Sequence, residues 1–178
     1  MVRTLKLLAF SCLLNTIQLV YPTVAEAAYG DWTIYAAYHH ATKVAVLNNK
    51  VFVLSDNGLY SYDPEDTSVE TYDKTNSLKD NNIYDMVRCD ATKLIVLLYT
   101  NGNIDLIDAK GNAYNMPELK EKALSDKTLN GISVKDEFVY ISTNSGIVVL
   151  DTKRKVFTNY YDFDKKVNSI SNALTYFL

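Results

Sequence analysis

The residues best equipped for chemistry are few, and their spacing suits little of it. His39 and His40 are adjacent. On an extended strand, neighbouring side chains point to opposite faces, so this pair could share a metal only with distant help. Cys89 closes the apolar run from Ile83 and has no histidine near it in sequence, so a buried, inert thiol is expected. The acidic runs Asp63-Pro-Glu-Asp66 and Asp162-Phe-Asp164 lack the alternating carboxylates, glycine and distal glutamate of a calcium loop. Both read as solvated turns. Two short basic runs, Lys153-Arg-Lys155 and Lys165-Lys166, could meet an anionic surface glycan, though solvated turns again describe them better. There is no nucleophile-elbow serine, no phosphate loop, no dinucleotide fingerprint and no Cys-x-x-Cys pair. The expectation is a protein without catalytic residues, metal or cofactor.

Charge points the same way. Eighteen Lys and Arg against 21 Asp and Glu give a net charge of −3. That argues against nucleic acid, whose affinity comes from phosphate neutralisation. The fourteen tyrosines fall mostly in apolar runs, where β-propensity and packing account for them.

The N-terminus reads as an address. Arg3 and Lys6 precede an apolar run from Leu7 to Val20. As a helix that run would span only ~21 Å, against a hydrocarbon core of ~30 Å. Ala25 and Ala27 then stand at the −3 and −1 positions of a leader-peptidase cut. Residues 1–27 are therefore expected to be a signal peptide, and the product to be exported to the periplasm or the cell surface. Cleavage would remove Cys12 and leave Cys89 alone, so a packed core rather than a disulfide must hold the domain.

The elements that would position any site come from a repeat. Gly58, Gly102 and Gly146 are spaced 44 residues apart, each between two apolar runs. Each run after the glycine closes at an aspartate (Asp63, Asp108 and Asp151), where Asx-type turns are favoured. Third strands are expected at Val69–Tyr72, Ala113–Met116 and Lys155–Tyr160. Opening strands are expected at Lys43–Leu47, Ile83–Cys89 and Ile132–Val134. Runs such as Leu94–Leu98 are apolar without alternation, which suits strands covered on both faces.

The reading is all-β: a partial β-propeller of about three four-stranded antiparallel blades with a 44-residue repeat. A β-sandwich is the alternative. Residues 28–42 form an N-terminal strand segment, and 43–178 the incomplete propeller. Its blades are expected at about 43–82, 83–130 and 131–161, with the start of a fourth at 166–178. Propellers close with about four to eight blades. The chain is therefore expected to be a fragment of a longer protein, or a stack whose bare faces need completing blades or another copy.

Five stretches carry a family resemblance. They are the start Tyr29-Gly-Asp-Trp32 through Ala45; Asp56-Asn-Gly-Leu-Tyr-Ser-Tyr-Asp63; Ser77-Leu-Lys-Asp80 with Ile83; Leu98-Tyr-Thr-Asn-Gly-Asn-Ile-Asp105; and Ser145-Gly-Ile-Val-Val-Leu-Asp151. Together, over roughly 28–161, they resemble the N-terminal β-propeller of PorZ-like type IX secretion proteins of Bacteroidetes. The resemblance implies a non-enzymatic scaffold in a cell-envelope attachment complex, with protein partners that include a sortase-like protease. The Asn-Gly-Leu-x-x-Tyr-Asp motif alone also resembles the sensor propellers of two-component regulators, which is the alternative function. A propeller enzyme is the third class. Its site would need residues from more blades than three.

Overall fold

Short β-branched and aromatic runs become strands here wherever a turn residue interrupts them. The computed structural model describes residues 38–56 and 58–162. Strands β1 (Ala41–Leu47), β2 (Lys50–Ser55), β3 (Gly58–Tyr62) and β4 (Val69–Tyr72) form the first sheet. The second holds β5 (Ile83–Cys89), β6 (Leu94–Tyr99), β7 (Ile104–Ile107) and β8 (Ala113–Met116). The third holds β9 (Leu129–Lys135), β10 (Phe138–Thr143), β11 (Gly146–Asp151) and β12 (Val156–Asp162). Every pairing is antiparallel between consecutive strands, so each sheet is a four-stranded meander, the unit expected of a propeller blade.

Most strand bounds agree with the sequence pattern. The differences are at ends: β1 begins at Ala41, β9 runs from Leu129 to Lys135 around the expected Ile132–Val134, and β12 starts at Val156 and runs to Asp162. One element was not anticipated. A single helical turn, α1 (Glu118–Glu121), follows the second blade and buries Leu119. Pro117 followed by Glu, Leu, Lys and Glu is a helix-start pattern, with proline ahead of strong helix formers.

The unalternating run in β6 has a simple explanation. Val96 and Leu98 enter one apolar cluster together with Leu106, Val139, Ile141, Val148 and Leu150, between blades two and three. Ile95, Leu97 and Tyr99 enter the other, with Phe52, Leu54, Leu59 and Tyr72, between blades one and two. Strand side chains alternate between faces. Both faces of blade two are covered, so both sets must be apolar. Burying each such Leu, Ile or Val contributes roughly 1.5–3 kcal/mol.

The face of blade one turned away from blade two is partly open among the described residues, although Val53 is buried and Tyr38 packs edge-on against Tyr60 there. The strand register places Val44 and Val46 of β1, Val51 and Val53 of β2, Tyr60 and Tyr62 of β3, and Val69 of β4 on its outward face. Val44 and Val69 are more than 60% exposed (62% and 63%).

Candidate functional site

The repeat gives the molecule two ends. At one end, the turns after β2, β6 and β10 meet the loops that lead into each blade. Asn82 C=O accepts from Thr100 N–H at 3.0 Å, and Thr128 C=O accepts from Asn144 N–H at the same distance. Side chains repeat the tie. Asn101 Nδ2 donates to Asp80 at 2.6 Å, and Asn144 Nδ2 donates to Asp126 at 2.7 Å. In blade one the corresponding contact is an exposed His40–Asp56 pair at 3.5 Å. His39 and His40 thus lie in the loop before β1, not on a strand, and His40 adopts a left-handed backbone (φ 53°).

The three spaced glycines belong to this end. Gly58, Gly102 and Gly146 have φ of 149°, 84° and 148°. At Gly146 the need is acute: a Cβ there would stand 2.0 Å from the carbonyl oxygen of Tyr161.

Asp80 is the most heavily engaged residue of this end. Besides Asn101 it holds Lys120 Nζ at 2.8 Å, tying the loop after blade one to the turn after blade two. Burial pushes its carboxyl up, but hydrogen bonds from Lys120, Asn101 and the Asn81 N–H outweigh this and hold it well below the ordinary range. Close by, Asp105 is fully buried. Its carboxylate accepts from Tyr99 Oη at 2.6 Å, Lys79 N–H at 2.9 Å and Asn115 Nδ2 at 2.8 Å. Burial and this carboxylate push the Tyr99 phenol far above its ordinary value. Such a buried network locks the local conformation. Sequence reading passed over Asp105, although a lone aspartate inside the apolar stretch Ile104–Ile107 was a signal.

At the other end the three repeat aspartates cap their turns. Asp63 Oδ1 accepts from Glu65 N–H at 3.0 Å, and Asp108 Oδ1 from Lys110 and Asn112 N–H at 2.8 and 3.0 Å. Asp151 Oδ1 accepts from Lys153 and Arg154 N–H at 3.0 and 2.8 Å. For Asp108, burial raises the carboxyl, and hydrogen bonds from Asn112 and Lys110 bring it below the ordinary range. These are Asx turns.

No group of three or more His, Cys, Asp or Glu able to hold a metal occurs among the described residues. Cys89 is fully buried, with Thr92 Oγ1 donating to its sulfur at 3.1 Å. One recess, about 430 Å³, is an open groove between α1 and β12 floored by Leu119, Val148, Phe157 and Tyr160. Lys122 Nζ lies 5.0 Å from the Tyr160 ring centre on its rim. No described helix is long and apolar enough to cross a membrane. Ala25, Ala27, Lys165 and Lys166 lie outside the described residues, as do most of 28–42 and the expected fourth-blade start at 166–178.

The polar groups described above are held in turns and blade contacts, and comparison with known proteins places the fold. A family model described as the type IX secretion system PorZ N-terminal β-propeller domain matches residues 51–177. Among solved structures, PorZ of Porphyromonas gingivalis, described as an essential bacterial surface component of the type IX secretion system, is 30% identical with a TM-score of 0.68. The match covers 76% of this chain and 18% of PorZ, so the chain spans under a fifth of that relative. The extracellular domain of the hybrid two component system BT4673 from B. thetaiotaomicron is 18% identical, with a TM-score of 0.57 over 71% of this chain and 17% of that one. The WD40 repeats of RRP9 reach a TM-score of 0.55 at 10% identity, over 76% of this chain and 41% of theirs. Those two likenesses speak to the fold alone. No match is found among curated proteins. The family match over 51–177, with blades built as a propeller requires, shows that the chain belongs to the PorZ N-terminal β-propeller family.

Proposed function

We propose that this chain is an exported, non-enzymatic propeller module that serves as a docking part in protein sorting or attachment at the cell surface. The observation that carries the reading is the family match over 51–177, together with 30% identity to a surface component of the type IX secretion system. Blades packed on two apolar contacts offer stable surfaces, which suits a scaffold. Its partners are proteins of a cell-envelope complex, and the exposed Lys153, Arg154 and Lys155 leave room for contact with an anionic surface glycan. Export rests on cleavage after Ala27. The exported product begins at residue 28, with blades at about 43–82, 83–130 and 131–161 and the start of a further one at 166–178.

The test is crosslinking and affinity capture of the tagged chain from envelopes of its own cells. The expected result is enrichment of type IX outer-membrane components and an N-terminus at Ala28. Capture of a sensor kinase instead would move the assignment to the sensor-propeller reading, which the BT4673 likeness keeps in view.

A further inference from the structure

The last strand of each meander takes the outer position, and among the described residues no strand pairs with its far edge. That holds for β8 although blade two has a neighbour on either side, so an open outer edge belongs to the meander and not to an end of the chain. β4 and β8 have four residues each, whereas β12 has seven. The register of β12 against β11 slips once: Val149 faces Asn159 and Leu150 faces Phe157, leaving Thr158 as the extra residue of a bulge. Strand side chains alternate, and the extra residue resets the alternation. Phe157 and Tyr160, three apart, therefore both pack on the apolar cluster shared with blade two.

The groove between α1 and β12 follows from these lengths. A four-residue strand and a single helical turn face a seven-residue strand, and a recess of about 430 Å³ stays open along β12. Leu119 and Val148 are buried at its floor, Phe157 and Tyr160 are half-buried in its wall, and Thr158 and Asn159 are exposed. Its charges are unbalanced. Lys120 is bound to Asp80 at 2.8 Å, and Lys122 lies over the Tyr160 ring. Glu118 and Glu121, exposed on the α1 side, are in no salt bridge among the described residues. An apolar trough, an acidic wall and a strand edge with unpaired backbone groups thus meet at one place, between two elements in the interior of the stack.

We propose that this groove docks an extended segment of a partner protein, which adds to the outer edge of β12 as a fifth strand of blade three. Its main chain pairs with β12, one apolar side chain lies against Phe157 and Tyr160, and a Lys or Arg beside it meets Glu118 and Glu121. The main chain supplies affinity, and the apolar and basic side chains supply selection. This docking role stands apart from the secretion reading, since it names the chemistry of the segment and not the assembly that the segment belongs to.

The test is selection of random ten-residue peptides, displayed on phage, against the exported chain, followed by synthesis of the selected peptides and titration by fluorescence anisotropy. The selected peptides should share an apolar residue with a Lys or Arg two positions away, on the same face of an extended strand. Glu118→Lys/Glu121→Lys, with circular dichroism to confirm that the blades remain folded, should weaken them about tenfold or more. Methylating alternate backbone nitrogens of a selected peptide should weaken it as much for one set and leave it unchanged for the other, because only one edge of an added strand pairs. Failure to select any peptide, peptides without the apolar and basic pattern, indifference to the charge reversal, or equal sensitivity at both sets of nitrogens would each overturn the proposal. Failure here leaves the capture experiment above untouched, and the reverse holds too.

Discussion

Between blades one and two, Phe52, Leu54, Leu59 and Leu97 surround two buried tyrosines whose hydroxyls meet Ser61 and Asp105. Between blades two and three, the fully buried side chains are aliphatic apart from Cys89 and Met116, with Phe157 and Tyr160 packed against them and Thr92 and Thr152 hydrogen-bonded beside Cys89. The same four-strand unit therefore makes one contact with a carboxylate and two phenols sealed inside it and one whose polar groups are a thiol and threonine hydroxyls. In the aliphatic contact, energy follows volume and shape. In the polar contact, a shift of register would strand the Asp105 carboxylate and the Tyr72 hydroxyl. Burial pushes the latter up to about 12. The first interface is the more exacting, the second the more tolerant.

The largest effect should come from Asp105→Ala. It leaves the Tyr99 hydroxyl, the Asn115 amide and the Lys79 N–H without their acceptor, a loss of about 3–5 kcal/mol in urea unfolding. Adding Tyr99→Phe to Asp105→Leu should recover a good part, since removing both partners costs less than orphaning one. Equal losses for the single and double variants would break the comparison. Next comes Leu150→Ala in the aliphatic contact, about 3 kcal/mol, with the dependence on urea concentration unchanged.

Asp80→Asn should cost about 2 kcal/mol, and its effect should depend on pH. Because the Asp80 carboxyl is held below its unfolded value near 4, its contribution is complete above that value and falls as pH drops toward its folded value. The parent chain should therefore lose stability more steeply on acidification than the Asn variant. Parallel acid profiles would remove Asp80 from the account. Smallest is Val46→Thr on the open face of blade one, expected within about 0.5 kcal/mol for the isolated chain.

Much of this was legible in the residues. The 44-residue spacing of Gly58, Gly102 and Gly146 marked the repeat, and the unalternating Leu94–Leu98 run marked a blade covered on both sides. Those signals are local or periodic, and burial enforces them. What escaped was set by partners distant in sequence. Lys120 reaches Asp80 across 40 residues, and Lys79 N–H meets Asp105 across 26. Nothing in either neighbourhood names its partner. The histidine pair lies in the loop before β1, where His40 is left-handed, because the chain must turn there before β1 can pair with β2. The helical turn at Glu118–Glu121 was within reach, since Pro117 announces it.

The central claim is that blade two is the packed middle of a stack, and native-state hydrogen exchange tests it most directly. The account predicts that paired amides of β6 and β7, between Ile95 and Ile107, exchange only through global unfolding. Those of β1 and β12, whose residues are mostly exposed, should exchange faster by orders of magnitude. Protection in β1 equal to that in β6 would contradict it.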